Sequence, residues 1–457
     1  MGYFVRVFSG FWPWLHRNRW LLAALLAAFA VRLHWNLLVH PLGDYISSDM
    51  RGYATRADQL INRFGDSMEY HAFFPYGTHY LIALVKLIFG QANYQAVGVV
   101  YALLGTAIVY HGYRIAERVS SRPWVPPLLG MILVFYYPLI SLGGYTLSEV
   151  PYAVFLLAAS HALLRLVQEG KSRDAWMAGV HAGIATAIRP QILMSIAVFG
   201  LVWLLFRKHT QARLKHLVFA AIPISAVLAF SAARVYHHTG HLGLVSENGR
   251  FNELFGRCHN KKAIAIPPKG RGGGRILFGP PPLLQLAKRA TSAPKSWVQL
   301  DPAIGAELTY SGYIADAEPL SALKRKCIAK TGFLGQMKYA AVNVLMLSGY
   351  NVPWPDSGSG RWRIPAGKWQ TAYTLLIAGP ALLMAFTCFM RRTVTRQGML
   401  SLHIWALLVT AAIYFGDTRL RAPYDPMLIL LAIEAYVYAG AMIGGRLRRL
   451  FRRGAAK

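Results

Sequence analysis

Acidic residues are what this sequence has least of. Of 457 residues only 19 are Asp or Glu, against 49 Lys or Arg, and all charged residues together make up 15%. Soluble domains carry about 25%. The charged shell of a large soluble core is therefore missing, while a hydrophobic content of 55%, much of it in long runs, suits a bilayer. Cysteine is nearly absent, with three in the chain, which leaves room for one bridge. Repeats, heptads and low-complexity tracts do not stand out, and neither does the internal symmetry of paired halves that many transporters carry.

What is present is organised around apolar runs. Stretches near the length that crosses about 30 Å of hydrocarbon fall at 20–40, 93–113, 124–140, 147–167, 191–206, 215–233, 369–390, 399–415 and 425–443, and the shorter, more polar 175–189 returns the chain to the other face. The expected fold is an all-α polytopic membrane bundle of about ten transmembrane helices. The first run follows Arg17 and Arg19, but the many spans behind it favour a retained helix over a cleaved signal peptide.

A net charge of +30 in a soluble protein points to nucleic acid. Here much of that charge sits in short loops: Arg114, Arg118 and Arg122; Lys171 and Arg173; Arg207, Lys208, Arg213 and Lys215; Arg391, Arg392 and Arg396; and the tail from Arg446 to Arg453. The loop 141–146 has no Lys or Arg. The asymmetry places both termini in the cytoplasm of a multi-pass inner-membrane protein, with the bilayer and not nucleic acid as its partner.

This topology divides the chain into an N-terminal module at 1–235, an outer segment at 236–368, and C-terminal helices with a basic tail at 369–457. Within the first module, 41–92 forms an extracytoplasmic cap. Its apolar run FPYGTHYLIALVKLIFG (73–89) reads as an interfacial helix, because a crossing there would turn Arg114, Arg118 and Arg122 outward. The outer segment is mixed, loop-rich and basic. Its two cysteines, Cys258 and Cys327, suit a bridge in an oxidising compartment.

Scarce acids beside an outer membrane boundary are informative, since an ionised carboxylate there is costly unless paired, hydrated or in use. Asp49 lies in ISSDMRGYATRADQL (46–60) and Glu149 in TLSEVPY (146–152). Each has an ordinary alternative: helix capping for Asp49, helix-dipole compensation for Glu149. Arg189, ending GIATAIRPQ, and Arg419 and Arg421, in the turn GDTRLRAPYDP (416–426), stand where short outer loops normally avoid Arg. A phosphate would match their planar donors, and ion pairing with Asp417, Asp425 or lipid headgroups is the alternative. Asp49 and Glu149 are also placed to share a divalent metal ion.

The order of these motifs carries a resemblance. Asp49 with Tyr53 and Ala57, then PYGTHYLIALVKLIFG, LSEVPYAVFLLAA, GIATAIRPQILM and GDTRLRAPYDPMLILLA, resembles the GT-C membrane glycosyltransferases. The likeness is to the branch holding protein O-mannosyltransferases, lipid A aminoarabinose transferases and the RgtA/B/C/D-like glycosyltransferases, over about 1–235 and 369–445. It implies a GT-C-like bundle and transfer of a hexosyl or pentosyl group from a polyprenyl-phosphate donor to a glycan, lipid or protein acceptor at the outer face. Asp49 and Glu149 then correspond to the catalytic acids. Arg421, Arg419, Arg189 and Lys86 are the candidates for the donor phosphate, and Tyr53, His71 and Tyr424 for substrate contact. The pattern often has a second acid directly after the first, where Met50 and Arg51 stand here. A transporter or flippase of lipid-linked sugars is the main competing class, and a membrane scaffold the other.

Overall fold

A computed structural model of the chain describes residues 2–67, 69–258, 263–266, 275–278, 285–286, 295–299, 307–311, 317–348, 354–390 and 395–454. It is a helical bundle. Among the described residues, seven helices are long and apolar enough to cross a membrane: Asn18–Val39, Tyr94–Val119, Glu149–Glu169, Ile192–His209, Leu214–Thr239, Arg363–Cys388 and Thr418–Ile443. The pair Val125–Val134 and Tyr137–Gly143, bent by 47°, makes an eighth if counted as one span. The expected count of ten is thus not confirmed. The two helices that would complete it, Ser172–Ile188 and Gln397–Ile413, have 17 residues each, which at 1.5 Å per residue is about 26 Å and at the lower limit for a crossing.

Glu149–Glu169 is the central element, with 78% of its apolar window buried, whereas Leu214–Thr239 has only 11% buried. Side chains such as Leu26, Leu201, Leu205, Leu376 and Phe386 are more than half exposed on the outside of the bundle. An exposed apolar girdle of this kind is a lipid-facing surface.

The bend in the broken span has a local cause. Pro138 lacks an N–H, so the ladder cannot run on from the first half. Arg32, on the first span, gives its guanidinium to the carbonyls released there, Leu133 at 2.9 Å and Val134 at 3.3 Å. Irregular backbone at membrane depth persists where protein satisfies it in this way. Gly105 on Tyr94–Val119 makes room for that arginine, since a Cβ would stand 2.5 Å from Arg32 Cδ.

The cap consists of Ser48–Asn62, Glu69–Phe73 and Gly77–Phe89. The last has 13 residues, about 20 Å, too short to cross. It buries Ile82, Ala83 and Val85 and exposes Leu84, Leu87, Ile88 and Phe89, the two-sided character of an interfacial helix. In the outer segment, Asn248–Cys258 packs on the helical stretch Ala317–Ser348, which Gly332 interrupts at φ +60°. Two small antiparallel sheets lie between them in sequence, one pairing Ala263–Ile266 with Arg275–Phe278 and the other placing Lys295–Gln299 between Gln285–Leu286 and Glu307–Ser311. Both expected module boundaries, 235/236 and 368/369, fall inside helices, Leu214–Thr239 and Arg363–Tyr373. Cys327 is buried and disulfide-bonded, and Cys388 is buried and in no disulfide. The side chain of Cys258, its expected partner, lies outside the described residues.

Candidate active site

Four charged side chains from four separate elements meet at one point. Asp49 comes from the first turn of Ser48–Asn62, Glu149 from the first turn of Glu149–Glu169, Arg189 from the C-cap of Ser172–Ile188, and Arg419 from the short helix Thr418–Arg421. Arg419 joins the two acids: its Nη1 is 3.1 Å from Asp49 Oδ2 and its Nε 2.8 Å from Glu149 Oε1. Arg189 pairs with the same Glu149 oxygen and donates from Nε to Ser148 Oγ at 2.8 Å. All four sit at helix ends, where a bundle meets its rim, and none at the middle of a span.

The two acids are not equivalent. Glu149 is fully buried and held by two guanidinium groups, so its position is fixed. Asp49 has one third of its side chain exposed and pairs with Arg419. Only the second can accept a proton from an incoming hydroxyl without losing a buried pair. Helix capping does not account for Asp49, because Ser47 occupies the N-cap position. The residue before Asp49, Ser48, has φ +46°, a left-handed conformation rare for a residue with a Cβ. Strain held next to a reactive group by its surroundings is a common property of active sites.

Of the expected substrate contacts, Tyr53 belongs here. It is buried against Ser148, Glu149 and Arg189, and burial raises its phenol above the ordinary range. Tyr424 lies near Arg189, its hydroxyl 2.8 Å from that of Tyr152 and accepting from Gln191 at 3.1 Å. Arg419 is stacked on Trp354, 4.7 Å from the ring centre. Ser148 and Trp354 were not read from the sequence. Ser148 adjoins Glu149 in the motif, but Trp354 lies in the outer segment that resembled nothing.

Three other candidates sit elsewhere. Arg421 is buried in an ion pair with Asp425 at 2.8 Å, donates to Leu347 O at 2.7 Å, and lies over Tyr373; of the alternatives open from the sequence, this is the pairing one. Lys86 is buried between Asp58, at 2.8 Å, and Tyr94. His71 bonds Gln59 at 3.0 Å and stands in a basic group with Arg56, Arg234, His79 and His238. Burial first, then Arg56 and Arg234, lower its pKa to about 4.

The donor set does not fit the divalent metal ion that Asp49 and Glu149 were expected to share. The Arg419 guanidinium already occupies the place between them. Among the described residues no group of three or more His, Cys, Asp or Glu side chains is arranged so that it could hold a metal ion. One carboxylate oxygen, Glu149 Oε2, and one guanidinium nitrogen, Arg189 Nη1, are buried without a protein hydrogen bond. Two such atoms in one site call for an explanation.

Comparison with known proteins bears on this site. Residues 74–234 match the family model described as dolichyl-phosphate-mannose-protein mannosyltransferase. That stretch takes in Glu149 and Arg189 and three of the motifs read above, so the resemblance to GT-C membrane glycosyltransferases is borne out; Asp49 and Arg419 lie outside it. No curated protein matches the chain. Among solved structures, the chain is similar to the archaeal oligosaccharyltransferase AglB from Archaeoglobus fulgidus in complex with an inhibitory peptide and a dolichol-phosphate, at 13% identity and a TM-score of 0.43 over 96% of this chain and 52% of that one. It is also similar to ArnT from Cupriavidus metallidurans bound to undecaprenyl phosphate, at 14% identity and a TM-score of 0.41 over 93% of this chain and 78% of that one. The chain spans about half the length of the first of these.

Proposed function

With the family match over residues 74–234 as premise, we propose that this protein moves a sugar from a polyprenyl-phosphate carrier to an acceptor hydroxyl at the outer face of the membrane. The observation that carries the reading is the link between Asp49 and Glu149 through Arg419, with Arg189 beside it. The basic short loops support an outer position for this rim, on the positive-inside rule.

The reaction needs two things of the protein. The acceptor hydroxyl must lose a proton as its oxygen forms the new bond to the anomeric carbon, and Asp49, the accessible carboxylate, receives it. The old bond from that carbon to the phosphate oxygen breaks with its electron pair, so the carrier departs as an anion that wants cations more than a proton. Arg419 and Arg189 supply them. A phosphate at Arg419 competes with Asp49 for the same guanidinium, so donor binding frees the base for the acceptor. Glu149 keeps both arginines in place and, together with Asp49, balances their charge when no donor is bound. A single displacement with one base inverts the anomeric configuration. No step requires a metal ion.

The test is direct. Purified protein in nanodiscs is incubated with a panel of radiolabelled polyprenyl-phosphate sugars, hexoses and pentoses, together with membrane glycolipid and glycan acceptors. Release of free polyprenyl phosphate with label appearing on an acceptor is the expected result. Movement of intact donor across the bilayer without cleavage would establish the flippase reading instead.

A further inference from the structure

Asp356 is a carboxylate buried to 3% exposure that makes no ion pair among the described residues. Instead it sits among three hydroxyls. Its Oδ2 accepts from Ser141 Oγ at 2.7 Å and from Tyr137 OH at 3.0 Å, and its Oδ1 from Tyr145 OH at 2.9 Å. Burial raises its pKa, and the three hydrogen bonds oppose that rise. A buried acid satisfied only by neutral donors is costly unless it holds something in place.

What it holds can be read from both sides. The three hydroxyls belong to Tyr137–Gly143, the second half of the broken span, and to the turn after it that leads within four residues to Glu149. Two residues before Asp356, on the other side, is Trp354, whose ring carries the Arg419 guanidinium. The carboxylate therefore ties the turn that presents Trp354 to the turn that presents Glu149, and Arg419 lies between the two. A planar guanidinium stacked on an indole loses rotational freedom about its long stem. Here that fixes the plane of the group facing Asp49 and Glu149.

We infer that Asp356 is a positioning residue for glycosyl transfer: docked in the Tyr137–Ser141–Tyr145 cradle, it holds Trp354 against Arg419 and so sets the guanidinium that meets the departing phosphate. The inference rests on the function proposed above; Asp356 and Trp354 lie outside the stretch that matches the family model, and the Tyr137–Ser141–Tyr145 cradle lies within it.

The experiment has an activity arm and an arm that needs no activity. In the first, transfer by Asp356→Ala, Trp354→Ala and the double variant is measured in nanodiscs. Because a misplacement near 1 Å costs on the order of 10²-fold, each single variant is expected to lose about 10- to 100-fold in kcat with little change in donor KM. The double variant should be no worse than Trp354→Ala alone, since both changes act through one contact. Losses that multiply, or Asp356→Ala with full kcat, overturn the inference. In the second arm, backbone hydrogen exchange is followed at 417–421. Asp356→Ala and Trp354→Ala should both speed exchange there, and unchanged exchange in Asp356→Ala overturns the inference even if the wild-type protein transfers no sugar, a result that would instead count against the proposed function. Trp354→Phe, which keeps a flat ring under Arg419, should retain most of the rate. If Asp356→Ala does not fold, Asp356→Asn, which keeps the shape and one acceptor oxygen, takes its place in both arms with a smaller effect in the same direction.

Discussion

Changing Asp49 to Asn separates chemistry from structure at this site. The ion pair lost is part-exposed, at 3.1 Å between side chains 32% and 20% accessible, and pairs of that kind contribute about 0–1 kcal/mol. Losing the acidic charge in the first turn of Ser48–Asn62 costs about 0.3–1 kcal/mol more through the helix dipole. The melting temperature should therefore move by only a few degrees. The catalytic loss is of another size. Removing a general base lowers the rate by about 10²–10⁴, which is roughly 3–5 kcal/mol at 1.36 kcal/mol per tenfold. Donor KM should not rise, because Arg419 loses a competitor for the phosphate and keeps Glu149. The assay is steady-state transfer from a polyprenyl-phosphate sugar in nanodiscs, with thermal unfolding of the same sample. A folded Asp49→Asn protein with wild-type kcat would refute the assignment. A loss confined to donor KM would make Asp49 a binding group, and the search for the base would turn to the outer segment.

Glu149→Gln should cost stability as well as rate. It leaves Arg189 and Arg419 facing each other without their shared counter-charge, a loss of about 3–5 kcal/mol for a broken buried pair, visible as a lower melting temperature than that of Asp49→Asn. Arg421→Ala should behave as a folding defect of similar size, because it strands Asp425; normal stability with weakened donor binding would return Arg421 to the phosphate. For acid stability, the fold holds His71 neutral down to about pH 4 while the unfolded chain protonates it near 6.5. The unfolded state then binds more protons in that window, so stability falls as pH drops from about 6.5 to 4, and His71→Gln should flatten the fall seen in unfolding titrations. Peptide mapping without reductant should find Cys258 joined to Cys327, and two free thiols there would dismiss that bridge. Transfer should persist after dialysis against EDTA, with Arg419 in the place between the two acids; activity restored only by a divalent ion would contradict this arrangement.

Long apolar runs made the bundle legible, because length and hydropathy alone decide whether a helix crosses. Their number was less so, since Ser172–Ile188 and Gln397–Ile413 stop at 17 residues, where composition does not separate a crossing from a short packed helix. Asp49, Glu149, Arg189 and Arg419 could be picked out as charges that a membrane rim does not keep without a use. Which arginine serves the site could not. Arg419 and Arg421 are two residues apart on Thr418–Arg421, and at 3.6 residues per turn that spacing points them about 200° apart. One must face the acids if the other faces the core, yet the sequence GDTRLRAPYDP does not say which. The choice is made by partners far away in the chain: Leu347 O and Gln370 take the donors of Arg421, beside Asp425, while Trp354 and Asp49 receive Arg419. Two of those, Leu347 and Trp354, come from the outer segment, the part of the chain that resembled nothing, and Gln370 stands two residues beyond it. The order of motifs therefore pointed to charges that meet in the structure, and the outer segment decides which guanidinium stands among them.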